Sequence, residues 1–357
     1  MTLVVNGHSI FLVILVCFLA TCAFVPLTIK ISNFIGALDK PNKRKIHKKP
    51  IPTLGGLAIF FGFLLGYIFF ARESVLMLSI LIASFIIIVT GLIDDIRPIK
   101  ARYKFLIQLA VASVIVFYGN LAFTEITALG VNINFGQILG PIISVLFIVA
   151  IINAINLIDG MDGLAASIST IYFITVAIIA IILNKFGGLD IMLSIIMIGA
   201  TLGFLIFNFP PAKLFMGDTG STFLGLMISV IALLGFKNVT LTSLFIPLLI
   251  LAIPILDTAF AIIRRKIKGE SIAHADKEHL HHQLLKITSS PVKTLIIICF
   301  INILFSVASI FYALDYTDEM MAVYIVLLFI LLFIVLKTDI IFDRKKLKDI
   351  KEKHKKR

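Results

Sequence analysis

Long apolar runs occupy most of this 357-residue chain, and their length limits the folds that are open to it. A helix of about 17 to 25 apolar residues crosses the hydrocarbon core of a bilayer. Eleven runs reach that length, at residues 9–29, 54–71, 75–93, 105–123, 139–157, 165–183, 190–207, 219–236, 242–262, 293–314 and 320–336. Only 15% of the residues are charged, whereas about a quarter are charged in a soluble domain. The sequence therefore predicts an all-α integral membrane protein with about eleven transmembrane helices.

Lysine and arginine residues divide unequally between the two sides of such a protein. One side carries 29 of the 32, in segments 30–52, 94–104, 208–218, 263–293 and 337–357. The other side carries Arg72, Lys185 and Lys237. Because basic loops face the cytoplasm, we predict an external N-terminus, one multi-pass domain over residues 1–336, and a basic cytoplasmic tail over residues 337–357. The net charge of +12 then indicates attraction to anionic membrane lipids and no nucleic-acid partner.

Four polar segments interrupt the apolar pattern, and all of them lie on the side predicted to be cytoplasmic. They read GLIDDIRPIKARYK, NAINLIDGMDGLA, FNFPPAKLFMGDTGS and RRKIKGESIAHADKEHLHHQLL. Clustered carboxylates beside a membrane favour Mg²⁺, which takes oxygen ligands and commonly bridges phosphates. The glycines around Asp218 allow a tight turn, and the basic residues and histidines could bind phosphate oxygens or exchange protons. Together these groups indicate phosphoryl transfer, which depends on positioning and charge neutralisation.

Each segment also has a simpler interpretation. The Asp94–Asp95 pair is typical of a solvated helix end, and the sequence around Asp218 is common in turns. A secondary transporter would also have many spans, but transporters usually place their sites near the bilayer midplane, between internal repeats. The sequence shows neither feature. Four polar segments on one side favour a single catalytic site.

These segments, together with DKPNKRKIHKKPIPTLGG, resemble the signature stretches of the polyprenyl-phosphate N-acetylhexosamine-1-phosphate transferases, in the same order along the chain. The resemblance implies that undecaprenyl phosphate attacks the β-phosphorus of UDP-N-acetylglucosamine and expels UMP at the cytoplasmic membrane face. It also implies a Mg²⁺ ion, with Mn²⁺ as an alternative. The branch of the family that transfers phospho-N-acetylmuramoyl-pentapeptide carries three consecutive histidines. Residues 279–282 read HLHH, which favours the simple amino sugar, as in wall teichoic acid synthesis, over that alternative.

The resemblance also implies a role for individual residues. Asp218 and Asp95 would hold the metal ion, and Asp94, Asp95 and His279 would be catalytic. The substrates would be bound by Lys48, Thr53, Asn156, Asp159, Asp162, Asn208, Phe215, Arg264, Arg265, His281 and His282. Phe215 would stack on the uracil ring.

Several of these roles have alternatives. Lys48 could be one more lysine of a cytoplasmic loop, and Phe215 could face lipid. Asp257 lies inside a predicted span, so we expect it to be paired or protonated, and it could lock two helices together as well as act in catalysis. Adjacent residues on a helix point about 100° apart, so we assign Asp94 to the lipid phosphate and Asp95 to the metal. The sequence leaves a homodimer open.

Overall fold

The computed structural model describes residues 4–39, 50–128, 131–183, 186–236, 249–267, 279–314 and 316–337. Helices account for most of this part of the chain. They are α1 (Ile10–Ile35), α2 (Gly55–Phe70), α3 (Val75–Ile96), α4 (Ala101–Ser113), α5 (Gly136–Ile158), α6 (Leu164–Ile182), α7 (Leu189–Asn208), α8 (Gly217–Phe236), α9 (Ala252–Ile267), α10 (Leu280–Thr288), α11 (Pro291–Ala313) and α12 (Thr317–Lys337). A π-helical turn, Val114–Tyr118, continues α4.

The predicted helical membrane protein is confirmed, because eight helices in the described part are long and apolar enough to cross a membrane. They are α1, α3, α4 with its π-helical turn, α5, α6, α7, α8 and α11. The shorter helices α2, α9 and α12 contain the remaining apolar stretches. The predicted span 242–262 is described only in part, and the predicted tail lies almost entirely outside the described residues.

The sequence did not predict four smaller elements. Three are antiparallel two-stranded hairpins, which pair β1 (Val4–Val5) with β2 (His8–Ser9), β3 (Leu38–Asp39) with β4 (Ile51–Pro52), and β5 (Glu125–Ala128) with β6 (Val131–Asn134). The fourth is α10, which has nine residues and is too short for a membrane span. Its buried residues lie on one face, so a search for long apolar runs passes over it.

Close contacts between helix backbones hold α1 against α7. A Cβ atom at Gly199 would lie 2.5 Å from the carbonyl oxygen of Ile14, and one at Gly203 would lie 2.7 Å from that of Phe18. Glycines four residues apart form a flat face that lets two membrane helices approach closely. The pair therefore fixes α1 and α7 as neighbours.

The start of α8 is packed just as closely, and this packing positions the candidate site. A Cβ atom at Gly56 on α2 would overlap the backbone of Gly220, and one at Gly91 on α3 would overlap that of Thr219. The first two amides of α2, those of Gly55 and Gly56, donate to the carbonyl oxygens of the two residues just before Gly217, each at 2.9 Å. Helix α8 therefore begins in contact with both α2 and α3.

We expect Gly56→Ala to destabilise the protein, because the added methyl group must displace the backbone of Gly220. Overpacking of this kind costs about 1–3 kcal/mol. The matched control is Gly187→Ala, since nothing lies within 4 Å of a Cβ atom built there. Thermal unfolding of the detergent-purified variants measures the difference. Equal midpoints for the two alanine variants would show that the contact between α2 and α8 is not tight.

Candidate active site

Asp95 fixes the first turn of α8. Its Oδ1 accepts a hydrogen bond from the amide of Asp218 at 2.8 Å. Its Oδ2 accepts from the amide of Thr219 at 3.1 Å and from the Thr219 hydroxyl at 2.6 Å. A helix start has unpaired amides and a partial positive charge, and a carboxylate satisfies both. Both Asp95 oxygens are thus engaged with α8, which differs from the expected role of direct metal ligand.

Gly217 is required at this turn for two reasons. Its backbone has φ +71°, in the left-handed region that favours glycine. A Cβ atom there would also overlap the carboxylate of Asp95 and the carbonyl oxygen of Thr53. Only glycine lets the carboxylate approach the helix start this closely.

Asp218 follows this turn and is held from two sides. Its Oδ1 accepts a hydrogen bond from Nδ2 of Asn156 at 3.1 Å, and its Oδ2 contacts Nζ of Lys104 at 2.6 Å. Nδ2 of Asn156 also donates to the hydroxyl of Ser221 at 2.8 Å, one turn further along α8. Asn156 therefore orients Asp218, and its predicted contact with the substrate stays a prediction.

Lys104 links two of the predicted carboxylates. Its Nζ lies 2.6 Å from Oδ2 of Asp94 as well as 2.6 Å from Asp218. Oδ1 of Asp94 accepts from the amide of Ile99 at 2.6 Å, which fixes the turn between α3 and α4. The sequence reasoning missed Lys104 because it counted this lysine among the basic residues of a cytoplasmic loop. A signal was present, since Gln108 is a polar residue inside the predicted span 105–123 and Lys104 lies one turn before it.

Asp94, Asp95 and Asp218 form a carboxylate cluster, and Asp159 lies beside it at the end of α5. No described residue donates a hydrogen bond to the Asp159 carboxylate. Burial, followed by the charges of Asp218, Asp95 and Asp162, raises the pKa of Asp159 to about 8. Negative charge at this point is therefore poorly compensated by the protein, and a bound cation would compensate it. The described residues contain no group of three His, Cys, Asp or Glu side chains that could hold a metal ion by themselves. A divalent cation here would need oxygen ligands from substrate or water as well.

Two predicted substrate-binding residues instead connect loops. Asn208 is 3% exposed, and its Oδ1 accepts from the amide of Gly163 at 3.0 Å while its Nδ2 donates to the carbonyl oxygen of Leu214 at 2.8 Å. Oδ2 of Asp162 accepts from the amide of Ala212 at 2.9 Å. Both residues tie the loop after α5 to the loop before α8. In this geometry they hold the backbone beside the carboxylate cluster in place.

Thr53 and Phe215 lie at the edge of the cluster. The Thr53 hydroxyl donates to the carbonyl oxygen of Ala37 at 3.1 Å, so it is engaged with the end of α1. The amide of Phe215 donates to the carbonyl oxygen of Pro52 at 2.8 Å, and the Phe215 side chain is only partly buried. The second bond holds the strand before α2 against the loop before α8.

The histidines form a second group, which meets the first at Gly160. Oδ2 of Asp257 lies 2.9 Å from Nδ1 of His279, and its Oδ1 accepts from the amide of Leu280 at 2.8 Å. The expectation that Asp257 is paired is therefore confirmed, and it locks α10 to α9. The imidazole of His281 packs against Gly160, where a Cβ atom would overlap it. Burial, with the neighbouring histidines, lowers the pKa of His281 to about 3, so its ring is neutral.

The other predicted residues are less informative. The ring of His282 lies 4.2 Å from that of His281, centroid to centroid, and Arg265 is buried on α9. Lys48 and the side chain of Arg264 lie outside the described part of the structure.

Comparison with known proteins assigns the chain to a family. A model of glycosyl transferase family 4 matches residues 77–236. A Bacillus subtilis protein named "probable undecaprenyl-phosphate N-acetylglucosaminyl 1-phosphate transferase" is 40% identical over 299 residues, or 83% of each chain. The chain belongs to the polyprenyl-phosphate N-acetylhexosamine-1-phosphate transferase family. Two further members are an undecaprenyl-phosphate alpha-N-acetylglucosaminyl 1-phosphate transferase of Haemophilus influenzae, 33% identical over 87% of this chain and 88% of its own, and a decaprenyl-phosphate N-acetylglucosaminephosphotransferase of Mycobacterium tuberculosis H37Rv, 32% identical over 75% and 74%.

The segment matched by the family model holds the whole carboxylate cluster. It contains Asp94, Asp95, Lys104, Asn156, Asp159 and Asp218. Helices α9 and α10, with the histidine group, lie beyond it. The part that the family model describes is therefore the part in which the structure gathers carboxylates around the start of α8.

The raised pKa of Asp159 predicts a pH-dependent stability. An acid with a folded pKa above its unfolded value stabilises the fold at low pH and loses that contribution as pH rises through the folded pKa. With an unfolded pKa near 4 and a folded value of about 8, the protein in EDTA should become less stable between pH 6 and pH 8.

Asp159→Asn should flatten this decline, because the amide does not ionise. Thermal unfolding in EDTA at pH 6, 7, 8 and 9 measures it, with Glu73→Gln, an exposed carboxylate between α2 and α3, as the matched control. If Asp159→Asn loses stability over this range as steeply as Glu73→Gln, Asp159 is not the titrating group.

Proposed function

We propose that the chain transfers N-acetylglucosamine-1-phosphate from UDP-N-acetylglucosamine to undecaprenyl phosphate and releases UMP. The observation that carries this proposal is the cluster of carboxylates at the start of α8, with Lys104 between Asp94 and Asp218. The printed names of the relatives support the sugar and the polyprenyl phosphate. The HLHH sequence at residues 279–282 supports the amino sugar over the pentapeptide donor.

The reaction needs charge compensation more than covalent chemistry. A phosphate oxygen of the lipid forms a bond to the β-phosphorus of the donor, and the bond from that phosphorus to the oxygen of UMP breaks. The lipid phosphate has a second pKa near 6, so it is mostly dianionic at neutral pH and needs little help from a base. The proposed task of Asp94 and Lys104 is to hold this phosphate in line with the donor.

A divalent cation fits the proposed site. Asp218 and Asp159 would hold Mg²⁺, or Mn²⁺ in its place, together with oxygens of the diphosphate. The fit rests on Asp159, whose charge no described hydrogen-bond donor compensates. When bound, such an ion neutralises charge that develops on the phosphate oxygens. Asp95 would act behind Asp218 by fixing the first turn of α8.

The membrane arrangement is part of the proposal. We infer that α2, α9 and α12 cross the membrane with the eight longer helices, with the N-terminus outside and the C-terminus in the cytoplasm. The excess of basic residues on one side supports this orientation. The carboxylate cluster then faces the cytoplasm, where nucleotide sugars are made, and the product would begin a cell-envelope polysaccharide such as wall teichoic acid.

The direct test is turnover by the purified full-length protein. With UDP-N-acetylglucosamine, MgCl₂ and undecaprenyl phosphate, we expect UMP and the lipid-linked sugar phosphate in equal amounts. Asp218→Asn should lose nearly all activity while keeping the free energy of unfolding to within about 1 kcal/mol of wild type. A higher kcat/KM for the muramoyl-pentapeptide nucleotide would assign the other branch of the family. No UMP from either donor would favour a transporter.

Asp94→Asn and Asp95→Asn should differ in their pH and Mg²⁺ profiles. Without Asp94, the rate should fall most at pH 6, where more lipid phosphate carries a proton, and recover in part near pH 8.5. Without the full Asp95 carboxylate, α8 is held less firmly, so the Mg²⁺ requirement should rise at every pH. Initial rates across both variables measure this, and identical profiles would contradict the division of roles.

A further inference from the structure

A cleft opens beside the carboxylate cluster, between α3, α4 and α8. It is an open cleft, and the space between its walls together with the solvent at its mouth amounts to about 240 Å³. The part near the end of α3 and the start of α4 is lined by Asp94, Lys104 and Asp218. The part deeper between the helices is lined by Ile87, Gly91 and Gln108. On the outer faces of the same two helices Val89, Ile93 and Leu106 are exposed. The cleft therefore lies between helices whose outer faces are apolar, as expected of helices that face lipid.

Few polar groups on the cleft wall can donate to a ligand. The hydroxyl of Thr90 donates to the carbonyl oxygen of Ile86 at 2.7 Å, and that of Thr222 donates to the carbonyl oxygen of Asp218 at 2.6 Å. Both hydroxyl protons are thus used within their own helices. Among the residues that line the cleft, Lys104 and Gln108 are left as side-chain donors.

The orientation of the Gln108 amide follows from its neighbours. One polar atom of the Asn153 side chain lies 2.8 Å from the carbonyl oxygen of Val149, which can only accept, so that atom is Nδ2. The same Nδ2 lies 2.7 Å from the Gln108 amide, so the atom it meets there is Oε1. The NH₂ group of Gln108 is then the end left for the cleft. No described residue accepts a hydrogen bond from it.

We propose that Gln108 binds the phosphate of the lipid acceptor, with its Nε2 donating to a phosphate oxygen beside Lys104. This inference rests on the proposed function and assigns one cleft to one of its two substrates. Lys104 and Gln108 lie one helical turn apart on α4, so both can reach the same phosphate. The apolar wall at Ile87 and Gly91 suits the first isoprene units of a polyprenyl phosphate and not a nucleotide. Asn153 acts as a positioning residue, because it determines which end of the amide faces the phosphate.

The test uses Gln108→Glu, which keeps the acceptor for Asn153 and replaces only the NH₂ group by an oxygen. The KM for undecaprenyl phosphate should rise at least about tenfold, while the KM for UDP-N-acetylglucosamine should stay within about twofold of wild type. The matched control is Gln137→Glu, the same chemical change at an exposed position in the first turn of α5, which should alter neither constant. A rise in the donor KM, or a loss of kcat alone, would overturn the assignment.

Asn153→Asp provides a second, independent variant. An aspartate at this position accepts from Gln108, so the amide should turn over and present its oxygen to the cleft. The acceptor KM should then rise selectively although Gln108 itself is unchanged, and an unaltered acceptor KM would contradict the proposed orientation.

Direct binding of undecaprenyl phosphate to the detergent-purified protein separates this inference from the proposed function. If the wild type binds the lipid phosphate and Gln108→Glu binds it at least about tenfold more weakly, Gln108 is a phosphate ligand whether or not UMP is formed. If both bind it equally, the inference is wrong. If the wild type binds but releases no UMP, the proposed reaction fails and the phosphate site remains.

Discussion

Three hydrogen bonds from the start of α8 to Asp95 hold together the two helix ends that carry Asp94, Asp95 and Asp218. They bring the end of α3 against the first turn of α8, and Gly91 and Gly217 leave the space for this approach. Asp218 follows directly in that turn, so the backbone sets where its side chain begins, and Asn156 and Lys104 set where its carboxylate lies. If the Asp95 carboxylate were removed, the amides of Asp218 and Thr219 would have no hydrogen-bond partner at the start of the helix. An unpaired amide in a buried position is costly.

Charge is distributed unevenly around this turn. Lys104 compensates part of the charge of Asp94 and Asp218, and the amides of α8 compensate that of Asp95. Asp159 has no such partner among the described residues. The site therefore combines a fixed cation, which can attract a phosphate, with a spare carboxylate, which can attract a metal ion. The diphosphate and the Mg²⁺ ion of the proposed reaction would satisfy both requirements.

In hydrocarbon every backbone group must be paired, and a helix pairs them within a single segment. A long apolar run therefore predicts a helix, which is why much of the fold could be predicted. The amphipathic helix α10 escaped because its length and pattern do not reach that limit. The sequence also identified the polar segments that meet at the site. It could not show that Asn208 and Asp162 bond to backbone amides, because those partners come from a different loop. Lys104 was hidden among the basic residues of its own loop.

The contact between α3 and α8 also has a consequence for synthesis of the protein. Asp95 and Asp218 are separated by 123 positions in the chain. A ribosome adds about 5–20 residues per second, so α3 enters the membrane on the order of ten seconds before the helix that Asp95 caps. Lys104 is only ten positions from Asp94 and can pair with it almost at once. In the nascent α3–α4 pair, Asp94 is therefore already paired with Lys104. Asp95 has to stay at the water interface until α8 is made.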